Sequence, residues 1–298
     1  MLWAKILMQT KINHNMNRIT FFGIGVFTLW IFVTPLMAQS GGCGTVVSEQ
    51  QKTLEDTITI NLGTPTQSLP LLRRNLLINV FVVKNKNHLP GISVPNITNA
   101  VASLNASFAS IGLTFSVDVI HYIDNYQFDA LYAVNNMTDL MVQNTVPNTI
   151  NMYLVSGLFD QYGIDVAGLT YMPGDSGRNA MFIKKGYLSG SNLLHQMGHF
   201  LNLYDTHERD AFGPEKVARI NCDKLGDRLC DTDADPNLEG LINSCVYIGT
   251  AKDADKQLYS PSPRNIMSFT ADGCRCNFTR GQYLRMAHCL RYLRPSLH

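Results

Sequence analysis

The sequence predicts an α/β fold with a mostly parallel sheet, and three adjoining stretches predict it. Leu76 to Val83 (LLINVFVV) is an unbroken apolar run rich in β-branched residues, the pattern of an interior strand buried on both faces. Ile97, Val101, Leu104, Phe108 and Ile111 then recur at helical spacing, and Gly112 supplies a stop. Phe115, Val117 and Val119 next alternate with polar residues, as a half-buried strand would. Strand, helix and strand in this order make a crossover unit, which favours parallel pairing.

The elements around this unit follow in chain order. Arg18 precedes an apolar run from Ile19 to Ala38, broken by Pro35, and a polar Gln-Ser-Gly-Gly stretch follows. That reads as an export signal over residues 1–38 cleaved after Ala38, so a secreted or extracytoplasmic protein is expected. A retained membrane anchor is the alternative, because the run is long enough to span a bilayer. Residues 39–75 are polar and irregular, as a pro- or linker segment would be, and residues 76–298 form the expected domain. Lipid attachment at Cys43 is disfavoured, because Ser40-Gly41-Gly42 lacks the large aliphatic residue such sites carry three positions upstream. Ile150 to Val155 and Ala180 to Ile183 are further strand candidates, and residues 190–203 suit a helix. The chain closes with a helix over 279–294, where Thr279 and Gln282 form a capping-box pattern and Tyr283, Met286, Ala287, Leu290 and Leu293 make the buried stripe.

Composition narrows the function classes. Three of the 24 basic groups (Lys5, Lys11, Arg18) lie in the first 38 residues, which leaves 21 against 23 acidic groups. With no basic stripe and no interleaved aromatics, nucleic acid is not an expected partner. Six of the seven cysteines (222, 230, 245, 274, 276, 289) crowd the last 77 residues. In an exported chain that clustering points to disulfides, and an odd count leaves at least one thiol outside them. Cys289 sits beside the buried stripe of the last helix and reads as an inert core thiol.

The chemistry is concentrated in Leu194-His195-Gln196-Met197-Gly198-His199-Phe200-Leu201-Asn202-Leu203-Tyr204-Asp205. On a helix, His195 and His199 lie one turn apart on the same face, so both imidazoles can reach one metal ion. Asp205 would point away from a straight helix; a break near Asn202 would swing it back, because Asn tolerates the left-handed conformation. A lone HxxxH is more often a pair of satisfied histidines, so the motif needs support from elsewhere.

That support exists. The stretch resembles the extended zinc motif of metzincins, and the chain is similar to the pappalysin/cytophagalysin family of secreted metalloproteases. Cys43-Gly44-Thr45, Asn179-Ala180-Met181-Phe182, Gly226-Asp227-Arg228-Leu229-Cys230-Asp231-Thr232, Asn265-Ile266-Met267-Ser268 and Phe278-Thr279-Arg280-Gly281-Gln282-Tyr283 carry the likeness in order. The resemblance implies a zincin fold: a twisted, mostly parallel sheet with one antiparallel edge strand, an active-site helix, and a loop-rich, disulfide-containing C-terminal subdomain. It implies zinc on His195, His199 and Asp205, with His207 as a substitute ligand, and Met267 as the Met-turn residue beneath the metal. It implies a disulfide between Cys245 and Cys274, while Cys222 is left to pair with Cys230 or Cys276. An extended polypeptide would lie along the edge strand near Ala180–Ile183. Calcium is a family possibility in the loop-rich half. Asp231, Asp233 and Asp235 alternate suggestively, but they lack the central glycine and closing glutamate of an EF-hand loop, so a solvated loop is expected there.

Four positions depart from the family at the chemistry. Gln196 stands where the family has the glutamate that takes a proton from the attacking water. A neutral amide cannot do so, and general acid–base catalysis is worth roughly 10²–10⁴ in rate. Asn202 replaces a glycine and Asp205 a histidine. Phe269 replaces the tyrosine whose hydroxyl supports the oxyanion in related enzymes. The expectation is therefore a secreted zinc-site protease homologue, a pseudoprotease that captures extended polypeptide and cuts it weakly or not at all. The rivals are an active endopeptidase whose base is rerouted to Glu208 or Asp210, and a zinc-free interaction domain.

Overall fold

The computed structural model describes residues 42–58, 68–132, 134–175, 178–188 and 190–298; the expected export signal lies outside them. In chain order the elements are β1 (Gly42–Cys43), α1 (Glu49–Glu55), β2 (Arg74–Val83), α2 (Val94–Phe108), β3 (Leu113–Ile123), β4 (Ala130–Leu131) and α3 (Val134–Gln143). There follow β5 (Ile150–Val155), β6 (Gly157–Leu158), β7 (Val166–Thr170), β8 (Ala180–Lys184), α4 (Asn192–Phe200), β9 (Ile242–Asn243), β10 (Val246–Tyr247) and α5 (Arg280–His288). None of the described helices is long and apolar enough to cross a membrane.

β2 is the interior strand that its unbroken apolar run predicts, flanked on both sides by parallel neighbours, β3 and β5. The main sheet runs β1-β7-β8-β5-β2-β3. Only β7 and β8 pair antiparallel within it. α2 crosses from β2 to β3 and buries Ile97, Val101, Leu104 and Phe108 against the sheet. It ends in a short 3₁₀ turn, Ala109–Ile111, and the turn closes at Gly112 with φ 63°. β3 buries Phe115 but leaves Val119 exposed, because the pairing register shifts between Val117 and Ile120 and puts Ile120 on the core side instead.

The edge strand differs from the sequence expectation. Ala180–Ile183 was expected to form the edge; β8 is instead an interior strand between β5 and β7, with all four of those side chains buried. The antiparallel strand is β7, which lies one in from the end of the sheet beside β1 and whose composition (VAGLT) is too short and too mixed to announce itself. Residues 42–56 also differ. They read as irregular linker, yet β1 pairs in parallel with β7 and α1 forms a capped helix, with Ser48 Oγ accepting from Gln51 N.

Opposite charges hold the two ends of α4. Asp272 accepts from Ser191 N (2.9 Å) at its start, where the helix dipole is positive. Arg294 Nε donates to Phe200 O (3.0 Å) and Arg285 Nε to Asn202 O (2.7 Å) at its end. The helix stops at Phe200, and Asn202 takes φ 76°, the left-handed conformation that turns the chain back toward the metal-facing side. Beyond it, two disulfides staple a loop-rich region. Cys245–Cys274 is the implied pair, and Cys222 pairs with Cys230 rather than Cys276. Cys289 is buried, and burial pushes its thiol up to about 12, as suits an inert core group. α5 carries the full capping box between Thr279 and Gln282.

Candidate metal centre

Four donor side chains converge at the C-terminal half of α4: His195, His199, Asp205 and Cys43. Their ligand atoms all lie within 4.8 Å of one another. The two histidines come from adjacent turns of α4, so their Nε2 atoms face each other 3.0 Å apart. Asp205 Oδ1 lies 3.2 Å from His195 Nε2 and 3.6 Å from His199 Nε2. Cys43 Sγ lies 3.2 Å from His199 Nε2. A tetrahedral ion with bonds of about 2.0–2.3 Å would hold such donors roughly 3.3–3.6 Å apart.

The tautomers are decided by backbone carbonyls. His195 Nδ1 donates to Ile266 O (2.9 Å) and His199 Nδ1 to Leu203 O (2.9 Å). With both Nδ1–H groups committed, both Nε2 lone pairs point into the same small volume, the usual arrangement around a bound metal. Asp205 Oδ1 is buried and accepts no hydrogen bond. The donor set therefore fits zinc: two imidazoles, a carboxylate and a thiolate, with an orphaned oxygen aimed at the centre. The electrostatics agree. Burial opposes ionisation of Cys43, yet the charges of His199 and His195 bring its thiol well below the ordinary value. Burial likewise works against charge on His199, but Cys43 and then Asp205 raise it to about 9.

Met267 forms the floor. It is fully buried, and a Cβ on Gly198 would meet its Sδ at 2.4 Å, so the helix can sit on the sulfur only because residue 198 is glycine. The preceding carbonyl, Ile266 O, is the one that orients His195, so this turn both supports the helix and sets a ligand.

Gln196 points from α4 toward β7. Its Oε1 accepts from Thr170 Oγ1 (2.7 Å), and its Nε2 donates to Cys43 Sγ (3.3 Å). Gly168 leaves the room for it, since a Cβ there would meet the amide at 2.7 Å. Phe269 lies between the His207 ring, 5.5 Å away, and Gly42, whose Cβ position is 3.7 Å from the Phe269 ring. His207 itself is not among the converging donors. Glu208 and Asp210 line the cavity next to Asp205 and Cys43, and Glu208 Oε1 is engaged by Ala211 N (2.9 Å).

The three alternating aspartates do three separate jobs. Asp231 caps α5 through Gly281 N, Asp233 pairs with Arg219, and Asp235 is buried against Thr206 Oγ1 (2.6 Å). The solvated loop expected there is thus a set of structural clips. Sequence reasoning missed Cys43 as a donor. Its signal was the cysteine left over outside the C-terminal cluster, placed in a Cys-Gly-Thr block by the resemblance.

Comparison with known proteins decides the family. The family model described as pregnancy-associated plasma protein-A, a peptidase family, matches residues 124–291, more than half of the chain. The chain belongs to the pappalysin family of metzincin metalloproteases. An extracellular metalloprotease of Arthroderma gypseum is 25% identical over 238 residues, which are 74% of each chain. Among solved structures, a mutant promirolysin of Tannerella forsythia superposes with a TM-score of 0.56 at 16% identity, over 83% of this chain and 88% of its own. Mirolysin bound to a small compound superposes with a TM-score of 0.55 at 16% identity, over 77% and 96%. These two share the fold. Membership of a metzincin family implies zinc as the metal and polypeptide as the substrate class.

Gly198→Ala tests the floor of the centre. The added methyl would meet the buried Met267 sulfur at 2.4 Å and force that side chain to shift, so stability in urea should fall by about 1–3 kcal/mol, with a parallel loss of zinc retained through gel filtration. An unchanged midpoint and zinc content would show that the pappalysin-type floor is not needed here.

Proposed function

We propose that this chain is a secreted zinc-site homologue of the pappalysin metalloproteases in which peptide hydrolysis is weak or absent and which holds extended polypeptide along β7. The observation that carries the first part is the Gln196 amide. It occupies the motif position of the family's glutamate, sits beside the donor cluster, and is fixed by Thr170 and Cys43. An amide held in this way can orient a water or a backbone group, but it has no basic site to accept a proton at neutral pH. Phe269 at the position of the oxyanion-supporting tyrosine keeps the ring and lacks the hydroxyl, so a second contribution to the same transition state is missing. Zinc in this centre would supply Lewis acidity toward a peptide carbonyl.

The second part rests on the sheet. β7 is the edge of the main sheet once β1 is set aside, and β1 shows that the edge accepts an extended chain: Gly42 and Cys43 pair with Val166 and Gly168, and Gly44 N donates to Gly168 O (2.9 Å). Binding by strand addition draws its affinity from backbone hydrogen bonds and needs no chemistry at the metal. Secretion is supported by the extracellular relative and by the two disulfides.

For calcium, we propose Glu215 and Asp227, in place of the three aspartates, as the candidate donors in the loop-rich half. Both oxygens of Glu215 and Oδ2 of Asp227 are buried without a hydrogen-bond partner. Burial and then the Asp227 charge push Glu215 up to about 8, and burial pushes Asp227 up to about 7. Two such groups invite a hard cation.

Two experiments follow. Residues 39–298 would be incubated with an unfolded protein and a mixed peptide pool, with and without a zinc chelator, beside a Gln196→Glu, Phe269→Tyr double variant. The expected result is cleavage by the double variant at least 10²-fold faster than by the native chain. Chelator-sensitive cleavage at comparable rates by the native chain would favour the rerouted base at Glu208 or Asp210, and absence of bound zinc would favour the interaction domain. For calcium, millimolar addition should raise the melting temperature of the native chain by several degrees, and Glu215→Gln should abolish the rise. Equal rises in both would exclude this pair as the donors.

A further inference from the structure

We propose that a pocket on the face of β7 turned away from the metal centre selects a large apolar side chain (leucine, methionine or phenylalanine) at one position of the polypeptide that pairs with this strand. The inference rests on the strand-addition reading given above and adds to it which sequences are held. Successive side chains of a strand point to opposite faces. Gly168 and Thr170 face Gln196: Thr170 Oγ1 donates to its Oε1 (2.7 Å), and a Cβ on Gly168 would meet its amide at 2.7 Å. Leu169, and Tyr171 just beyond the strand, pack instead against the cluster on the other side of the sheet, which includes Met137 and Phe182, and both line the pocket. A chain added to β7 with its backbone toward the metal centre therefore carries every second side chain past this opening.

The lining is mostly apolar and well supported. Met137 on α3 and Phe159 after β6 join Leu169 and Tyr171 around a space of about 360 Å³, room for one large side chain. Met137 is 1% exposed, and the Phe159 ring stacks on Tyr132 with centroids 4.4 Å apart. These four residues belong to the body of the domain, so displacement of β1 opens the pocket on the side from which a bound chain arrives. β1 leaves the space unfilled: Gly44, the next residue, still donates its N–H to Gly168 O (2.9 Å) and lines the pocket, yet it brings no side chain.

Charged guests gain little here. Asp175 and Arg178 are the two charged residues of the lining, and their charges are opposite. Asp175 Oδ2 accepts from Met172 N (2.8 Å), and the Arg178 guanidinium lies over the Tyr171 ring at 4.9 Å. An apolar guest leaves these contacts in place and removes its own surface from water. For leucine or phenylalanine in place of alanine, that gain corresponds to roughly tenfold in affinity.

The test is a guest series read by fluorescence anisotropy with the 39–298 chain, and it needs no hydrolysis. A labelled host peptide rich in threonine and serine would carry one central guest: alanine, leucine, phenylalanine, glutamate or lysine. Leucine and phenylalanine guests should bind roughly tenfold tighter than alanine, and glutamate and lysine no tighter than alanine. Leu169→Trp fills the pocket and Phe159→Ala removes a wall, so each should bring the leucine-to-alanine ratio close to one; thermal melts of both variants would confirm that they are folded. Equal binding of all guests, tighter binding of a charged guest, or a leucine preference unchanged in both folded variants would overturn the pocket and leave strand addition standing. Binding of no guest at all would overturn both.

Discussion

Two imidazole nitrogens that face each other at 3.0 Å in a dry interior cannot both present bare lone pairs unless a positive charge lies between them. The remaining architecture follows from producing and holding this arrangement. α4 sets the histidines one turn apart. Ile266 O and Leu203 O take their outer protons, which requires the turn at Met267 beneath the helix and the reversal at Asn202 beyond it. Asp205 reaches the centre only because of that reversal, and the clamp of Asp272 at one end of α4 and Arg285 and Arg294 at the other keeps the helix from sliding. Cys43 arrives from a strand added to the edge of the sheet.

The substitutions sort into those that act on holding a metal and those that act on using it. Asp205 for histidine exchanges one donor for another, and the converging oxygen accepts no hydrogen bond that would divert it. Gln196 touches the donor set through Cys43 Sγ; on the proposed reading, it and Phe269 supply neither the proton acceptor nor the hydroxyl donor of the transition state. A centre that keeps every element of its scaffold and loses both reactive groups is better suited to binding than to turnover. β1 already lies where a backbone added to β7 would lie, so a polypeptide bound there must displace it.

Much of this was legible in the sequence. The buried strand at 76–83, the helix that follows it and the capping box at Thr279 each carry a periodicity or cap with one physical reading. The HxxxH spacing with a later carboxylate did the same for three donors. The misreadings share a cause. Five mixed residues give β7 too little periodicity to mark it as the antiparallel strand, and the four consecutive buried apolar residues Ala180–Ile183 describe an interior strand, not an edge. Cys43, Gln51, Glu55 and Arg285 meet their partners across separations of about 150 residues or more. No local pattern announces a buried carboxylate on a polar helix or the arginine that it meets. At the three aspartates a solvated loop is expected, and the fold instead ties each to a different partner.

X-ray absorption at the zinc edge of the purified 39–298 chain reads the centre most directly. One sulfur donor near 2.3 Å and three nitrogen or oxygen donors near 2.0–2.1 Å, roughly, would match a centre closed by Cys43, His195, His199 and Asp205. A shell of nitrogen and oxygen alone would contradict it, because the thiolate would then be off the metal and the fourth position open.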